Sequence, residues 1–347
     1  MSIAEPKLSF DVVIPVFNSE DWILSCVSKI RQLLDHNNLG DAKIIVVNDG
    51  STDDTLHLLE NCQVPNLHIV SQENMGRLRA REVGAQASVA EFILFIDSRV
   101  TLHANSLRYV LPHLKTRDLL IWTCDVHAEV SNNYIARFWK VIEMVFWSRY
   151  HRNPKLHRIT PHDFDYFPKG TTALISPRLL FLEATEQCMK NNKIHNLKKV
   201  NDDTAILRYM VNEKPIAISP EYSCSYNARS RILPFLRHAF HRGAVLIDGH
   251  WRRGARLQHL ITASFFIVPL LFGIFVLMPK LTIAAFAIAL TLVFISLSLS
   301  FIGWSNGLVF VLLLPVFSIS YFAGMCHGVG LRIRGVVPTQ THLRDAG

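Results

Sequence analysis

Residues 46–55 read Val46-Val47-Asn48-Asp49-Gly50-Ser51-Thr52-Asp53-Asp54-Thr55. A β-branched run ends on an acid, a glycine permits a tight turn, and Ser51, Thr52 or Asp53 can cap a following helix. The stretch therefore predicts a strand at Lys43–Val47, a loop, and a helix beginning at Asp54–Leu59. Asp49 emerges where the strand ends. A carboxylate there is an acceptor, so it suits a base N–H or a sugar hydroxyl and not a phosphate.

The same order recurs on both sides of this stretch. Phe10–Val16 is a compact apolar run, read as a buried strand, and Asp21–Leu34 follows with helical spacing. Leu67–Ser71 predicts a strand and Arg77–Ala87 a helix. Glu91–Ile96 is another strand, and it delivers Asp97. Further on, Ser106–Leu114 reads as a helix, Asp118–Glu129 as a strand, Lys169–Ser176 as strand-like, and Pro177–Cys188 and Asp202–Val211 as helices. Strands alternating with helices predict an α/β fold with a mostly parallel sheet covered on both faces. Such sheets place ligands just beyond their strand ends. Tyr134–Arg149 is a strongly aromatic helical stretch holding Phe138, Trp139, Phe146 and Trp147. Core packing over the sheet is the favoured reading, and contact with the bilayer or an apolar acceptor is the other.

Composition changes near residue 260. Of the 347 residues 50% are hydrophobic and 18% charged, and nearly all the acids precede that point. Beyond it come three uncharged runs, Leu260–Met278, Leu281–Gly303 and Asn306–Cys326, each a membrane-helix candidate. Pro279–Lys280 reads as a tight turn, and Trp304 and Ser305 mark the second break. The net charge of +8 is concentrated before the first run, at Arg229, Arg231, Arg237, Arg242, Arg252, Arg253 and Arg256. A basic segment abutting a span points to anionic headgroups and the cytoplasmic side, not to nucleic acid. Phe10–Val16 is too short to cross a membrane, so the front domain is expected in the cytoplasm. The six cysteines form no CxxC or Cys/His cluster, which argues against structural zinc.

Two further groups carry chemistry. Arg77 and Arg81 lie four residues apart on one predicted helix face, where cations can meet a diphosphate. Asn201-Asp202-Asp203-Thr204 puts adjacent carboxylates at a helix start, one of which can act as a base.

Taken in order over about residues 8–250, these motifs resemble the family 2 glycosyltransferases, which have the GT-A nucleotide-diphospho-sugar transferase fold. The resemblance assigns Pro15, Phe17, Asn18, Glu20 and Asp49 to the nucleotide, with Asp49 at the base. Asn74, Gly76, Arg77 and Arg81 match the family's next stretch, although its usual asparagine is Glu82 here. Lys169, Gly170 and Thr171 match the acceptor loop. Asp203, beside Asp202, matches the catalytic base. Trp251 and Arg252 loosely fit a basic, aromatic acceptor segment, and they lack the Gln-x-x-Arg-Trp motif of processive synthases.

One departure stands out. The family's Asp-x-Asp, which holds a divalent metal on the diphosphate, is Asp97-Ser98-Arg99 here. Asp97 remains a possible ligand for Mg2+ or Mn2+, while Arg99 can itself neutralise phosphate charge. The resemblance implies inverting transfer from a nucleoside diphosphate sugar, UDP by family habit, to a glycolipid or polyprenyl-phosphate acceptor. Processive polysaccharide synthesis and a non-catalytic membrane scaffold are the alternatives. The expected layout is a transferase domain over 1–230, a basic segment over 231–259, two or three membrane helices over 260–330, and a tail. Three crossings are favoured, although they would place Arg332 and Arg334 on the outer side.

Overall fold

The computed structural model describes residues 8–131, 133–191, 202–227, 230–250 and 258–333. They fall into two compact units, Met1–Ala128 with Asn153–Asn227, and Glu129–Arg152 with Ala228–Gly347. The second unit thus takes a segment from inside the span expected to form the front domain.

The first unit opens with β1 (Phe10–Val16), α1 (Ile23–His36), β2 (Ile44–Asp49), α2 (Thr55–Glu60), β3 (Leu67–Gln72), α3 (Arg77–Ala87) and β4 (Phe92–Ile96). It continues through β5 (Val100–Leu102), α4 (Ser106–Lys115), β6 (Ile121–Thr123), β7 (Asp125–Ala128), β8 (His157–Ile159), β9 (Ala173–Pro177), α7 (Arg178–Asn191), α8 (Asp202–Glu213), β10 (Ile216–Ile218) and β11 (Ser223–Tyr226). The eight-stranded sheet has the order β3-β2-β1-β4-β9-β6-β10-β8. β3, β2, β1 and β4 are parallel, and β9 runs against both β4 and β6. β1, β2 and β4 are buried along their whole length, as apolar runs covered on both faces must be. Their side chains make one core with α1 and α4.

The expected strand over Asp118–Glu129 is two. β6 joins the large sheet, whereas β7 pairs with β11 in a three-stranded sheet of order β5-β11-β7. The chain changes sheets at Cys124, where the Asp125 N–H turns to the Tyr222 carbonyl.

Pro15 shows how the sheet opens. It pairs with Val47 of β2, but the β1–β4 ladder ends at Val13 and Phe95. A residue without an N–H is tolerated in this central strand because the strand has already outrun its neighbour on that side. The strand order reverses at β1 and β4, so their carboxyl ends flank a topological switch point.

The second unit contains α5 (Tyr134–Phe146), α6 (Ser148–His151), α9 (Ile232–His250), α10 (Gln258–Leu277), α11 (Pro279–Leu299) and α12 (Trp304–Ile333). Among the described residues α10, α11 and α12 are long and apolar enough to cross a membrane. The expected Pro279–Lys280 turn is displaced. Pro279 opens α11, where its missing N–H costs nothing, and Met278 alone makes the break. α5 finds aromatic packing partners within its own unit. Phe138 packs against Phe235, Phe310 and Phe317 of its own unit at centroid distances of 5.3, 5.0 and 5.0 Å. The basic segment expected after residue 230 holds the helix α9, which periodicity did not flag.

Candidate active site

Three loops meet beyond the carboxyl ends of β1, β2 and β4. Asn18 adopts φ 48°, a conformation asparagine tolerates well. Its Oδ1 accepts from the Thr52 N–H at 2.8 Å and its own N–H donates to Ser51 Oγ at 3.1 Å. Glu20 Oε2 accepts from the Asp54 N–H at 2.9 Å, while the Glu20 N–H donates to Asp53 Oδ2 at 3.2 Å. The Ser19 N–H donates to Thr55 Oγ1 at 2.8 Å, and its hydroxyl lies 3.0 Å from that of Ser98. The polar residues after β1 and β2 therefore satisfy each other, with Phe17 left at the lip, 37% exposed.

Asp49 is 3% exposed. Its Oδ1 accepts from Gln72 Nε2 at 2.6 Å and from the Met75 N–H at 2.7 Å, and its Oδ2 accepts from the Gly76 N–H at 2.9 Å. The carboxylate thus caps the entry to α3 from a neighbouring strand, at the end where a helix favours negative charge. A nucleotide base that reached Asp49 would have to displace or share one of these donors. Gly50 supports the same turn at φ 72°, because a Cβ there would lie 2.7 Å from the Asn74 nitrogen.

α3 separates its two arginines. Arg77 is exposed at the helix start. Arg81, one turn on, is 1% exposed and donates through Nη2 to Asp97 Oδ1 at 2.8 Å. The residue expected at the diphosphate is therefore an internal partner of the carboxylate on β4. Glu82, at the position of the family's asparagine, is buried and bound by Arg79 at 2.6 Å.

Arg99 is half-buried, with its guanidinium 5.6 Å from the centre of the Trp22 ring. That contact is a cation–π one. No carboxylate pairs with Arg99 among the described residues. Trp22 carried no signal in the sequence beyond its place on an apolar helix face.

The acceptor-loop residues come beside Asp97. The Asp97 N–H donates to the Thr172 carbonyl at 3.0 Å, and Thr123 Oγ1 both donates to the Gly170 carbonyl at 3.1 Å and accepts from its N–H at 3.0 Å. Thr171 is buried. Lys169 Nζ sits 4.2 Å from the Phe164 ring and donates to the Phe164 and Phe167 carbonyls. The same ring has the Arg208 guanidinium at 4.5 Å, and Arg208 also pairs with Asp165 at 2.9 Å. Phe164, Asp165 and Arg208 were not found from the sequence, since no motif spacing links them. They connect the Lys169 loop to α8, whose first residues are Asp202 and Asp203. The side chains of Asp202 and Asp203, and all of Trp251 and Arg252, lie outside the described residues.

The donor set fits a resident divalent cation poorly. Asp97 has Oδ1 engaged by Arg81, both oxygens of Asp49 are engaged, and Arg99 stands where a second carboxylate would be needed. Among the described residues no three His, Cys, Asp or Glu side chains gather as a metal site.

The model of the family described as glycosyl transferase family 2 matches residues 11–180, which include all three loops. The chain belongs to this family. An uncharacterized glycosyltransferase of Rickettsia bellii is 28% identical over 110 residues, 31% of this chain and 15% of that protein. The Bacillus subtilis protein EpsJ, an uncharacterized glycosyltransferase, is 32% identical over 124 residues, 35% of either chain. The matched stretch thus spans 15% and 35% of the length of these two relatives. Among solved structures, the mannosyltransferase PcManGT from Pyrobaculum calidifontis, in complex with GDP-Man and Mn2+, superposes with a TM-score of 0.58. It is 14% identical, over 90% of this chain and 86% of that one, a likeness of fold.

Proposed function

We propose that this family 2 chain is a membrane-associated inverting glycosyltransferase. It moves a sugar from a nucleoside diphosphate donor to a lipid-linked acceptor, a glycolipid or polyprenyl phosphate. The observation that carries this reading is the convergence of the Asn18, Asp49 and Asp97 loops beyond parallel strand ends, with the cation of Arg99 beside them. That arrangement suits a nucleotide whose diphosphate lies toward the β1–β4 switch point. The second unit supplies the reason for a lipid acceptor, because its apolar helices hold the chain at a membrane. Its basic α9 favours the cytoplasmic side.

In this mechanism Asp203 takes the proton of an acceptor hydroxyl as the oxygen attacks the anomeric carbon. The bond to the diphosphate breaks and the configuration inverts. Asp202 supports the helix start. A phosphate acceptor needs little deprotonation, and Asp203 then orients it. Negative charge growing on the leaving diphosphate is met by Arg99. Asp97, Gly170 and Thr171 shape the floor of the site, and Lys169 is braced on Phe164.

Purified full-length protein incubated with UDP- or GDP-sugars and a lipid extract tests the reading. Sugar-dependent nucleotide release and a single added sugar are expected. A long product identifies a processive synthase. Failure to bind or release any nucleotide identifies a scaffold that has kept only the fold.

A further inference from the structure

We propose that α12 lies in the plane of the membrane surface, and that the chain crosses the bilayer only through α10 and α11. By length and apolarity α12 is a third crossing, but its contacts in the second unit place it differently.

α10 and α11 meet at Met278, where Leu277 and Met278 are 80% and 57% exposed. Their other ends both rest on α12. At the start of α10, Ile261 packs with Met325, and the Phe265 ring lies 5.8 Å from that of Phe322. At the end of α11, Leu297 and Phe294 crowd Gly307, and Val293 packs near Phe310. Two helices that cross and return bring the first end of one and the last end of the other to the same membrane face. α12 therefore touches that face twice, at Gly307 and at Met325. Eighteen residues of helix separate the two points, or about 27 Å. A helix joining two points at one depth runs along the surface.

The companions of α12 decide which side of this triangle is in plane. α10 and α11 are exposed almost throughout, as lipid-facing helices should be. α12 is accompanied along its length by helices that carry charge. α5 packs on its first half through Phe138 and Trp139, and α5 also carries Arg137, Lys140 and Glu143. α9 runs parallel to the second half. The Ser320 hydroxyl donates to the Leu236 carbonyl at 2.8 Å, and a Cβ at Gly328 would come 2.7 Å from the Ala244 carbonyl oxygen. Arg237 and Arg242 lie on this stretch of α9. Were α12 a crossing, these charges would be carried into the hydrocarbon, where they are costly. In plane, they stay at headgroup depth.

The remaining surface of α12 fits this placement. Trp304, Leu308, Leu312, Val316 and Ile319 are exposed at helical spacing and form one apolar stripe. At its head, Arg137 donates to Ser305 and Asn306, both neutral, and pairs with no carboxylate among the described residues. A groove of about 400 Å³ runs from Tyr134, Arg137 and Trp304 to Leu313. An aromatic and cationic rim over an apolar floor suits the boundary between headgroups and acyl chains. The bilayer surface is the partner of this stripe.

Topology and depth of the full chain in membranes test the proposal. A reporter fused after Gly347 should lie on the same side as one fused at Met1, and Lys280→Cys should react only with reagent applied from the other side. Spin labels placed through Leu308→Cys, Val316→Cys and Ile319→Cys, each in a Cys326→Ser chain, should report equal, shallow depths in vesicles. The reporter readout needs no substitution within α12. Reporters on opposite sides, a Lys280→Cys reactive from the Met1 side, or a label at residue 316 near the bilayer centre would each overturn it.

Discussion

Arg81 Nη2 donates to Asp97 Oδ1 at 2.8 Å, from a position on α3 that is 1% exposed. The pair joins a helix interior to the carboxyl end of β4, so it sets where Asp97 points. Asp97 keeps 21% of its side-chain surface exposed, and it alone of the two can meet a ligand directly. Replacing Arg81 by Met should therefore cost stability, about 2 kcal/mol for a lost charge-assisted hydrogen bond discounted for the exposure of its partner. Asp97→Asn should cost less stability and more transfer. Thermal unfolding of both variants in detergent, alongside nucleotide release, checks this split. Equal stability losses would show that the pair is not organised this way.

Gly50→Ala should disturb the base side of the site without touching a ligand group. At φ 72° an alanine is strained, and its Cβ would sit 2.7 Å from the Asn74 nitrogen. Such strain costs about 1–3 kcal/mol. The loop can relieve it only by loosening the Met75 and Gly76 contacts to Asp49. Weaker nucleotide binding together with a lower unfolding temperature is expected, and calorimetric titration with UDP and GDP would read the first of these.

The first unit was legible where burial acts on continuous sequence. β1, β2 and β4 are uninterrupted apolar runs because both faces of the sheet are covered, and the polar loops stand out against them. Rotation of a helix about its axis was not legible. Arg77 and Arg81 share a helix face in sequence, yet the packing of α3 exposes one and buries the other. Partners distant in sequence were equally hidden. Nothing near Phe164 announces Arg208, and nothing near Phe138 announces Phe310 and Phe317. α5 reads as an aromatic helix in need of a cover, and only the fold shows that its cover lies in the second unit.

Burial pushes the Cys26 thiol from 9.0 to about 12, with the Asp97 carboxylate adding to the rise and Lys29 opposing it. A raised folded value means that this group's contribution to stability is complete below the unfolded value of 9.0 and is lost as pH rises toward about 12. Near pH 9, then, Cys26 should stay protonated and resist alkylation in the folded protein, while the partly exposed Cys62, outside the apolar helices, is modified. Mass spectrometry after timed alkylation reads both sites. Comparable rates at Cys26 and Cys62 would contradict the burial of Cys26 on α1.

Asp203→Asn tests the base. The substitution keeps size and helix-start polarity but removes the proton acceptor. Donor binding should stay near wild type, and transfer to a hydroxyl acceptor should fall roughly 10²–10⁴-fold. With a phosphate acceptor the loss should be smaller, since little proton transfer is needed. Turnover at the wild-type rate with a hydroxyl acceptor would move the role elsewhere, with Asp202 the next residue to replace.

Arg99 stands where its family carries a metal-binding carboxylate, and its cation rests on Trp22 with no carboxylate paired to it among the described residues. That leaves its charge available to a diphosphate. If it takes over part of the work of a metal, transfer should persist in chelator to a degree the usual Asp-x-Asp would not allow. Arg99→Ala should weaken binding of the nucleoside diphosphate more than of the nucleoside, since only the former carries the charge being paired. Arg99→Asp should place a second carboxylate beside Asp97 and make activity depend on added magnesium or manganese. Trp22→Ala is the companion variant. It removes the ring that holds the guanidinium and should reproduce a weaker form of the Arg99→Ala defect, without creating any metal dependence. Titration of UDP binding with and without magnesium, in wild type and all three variants, separates these outcomes. Complete loss of wild-type activity in EDTA, with Arg99→Ala unchanged, would instead assign the leaving-group charge to a cation brought in by the donor's own phosphates and Asp97.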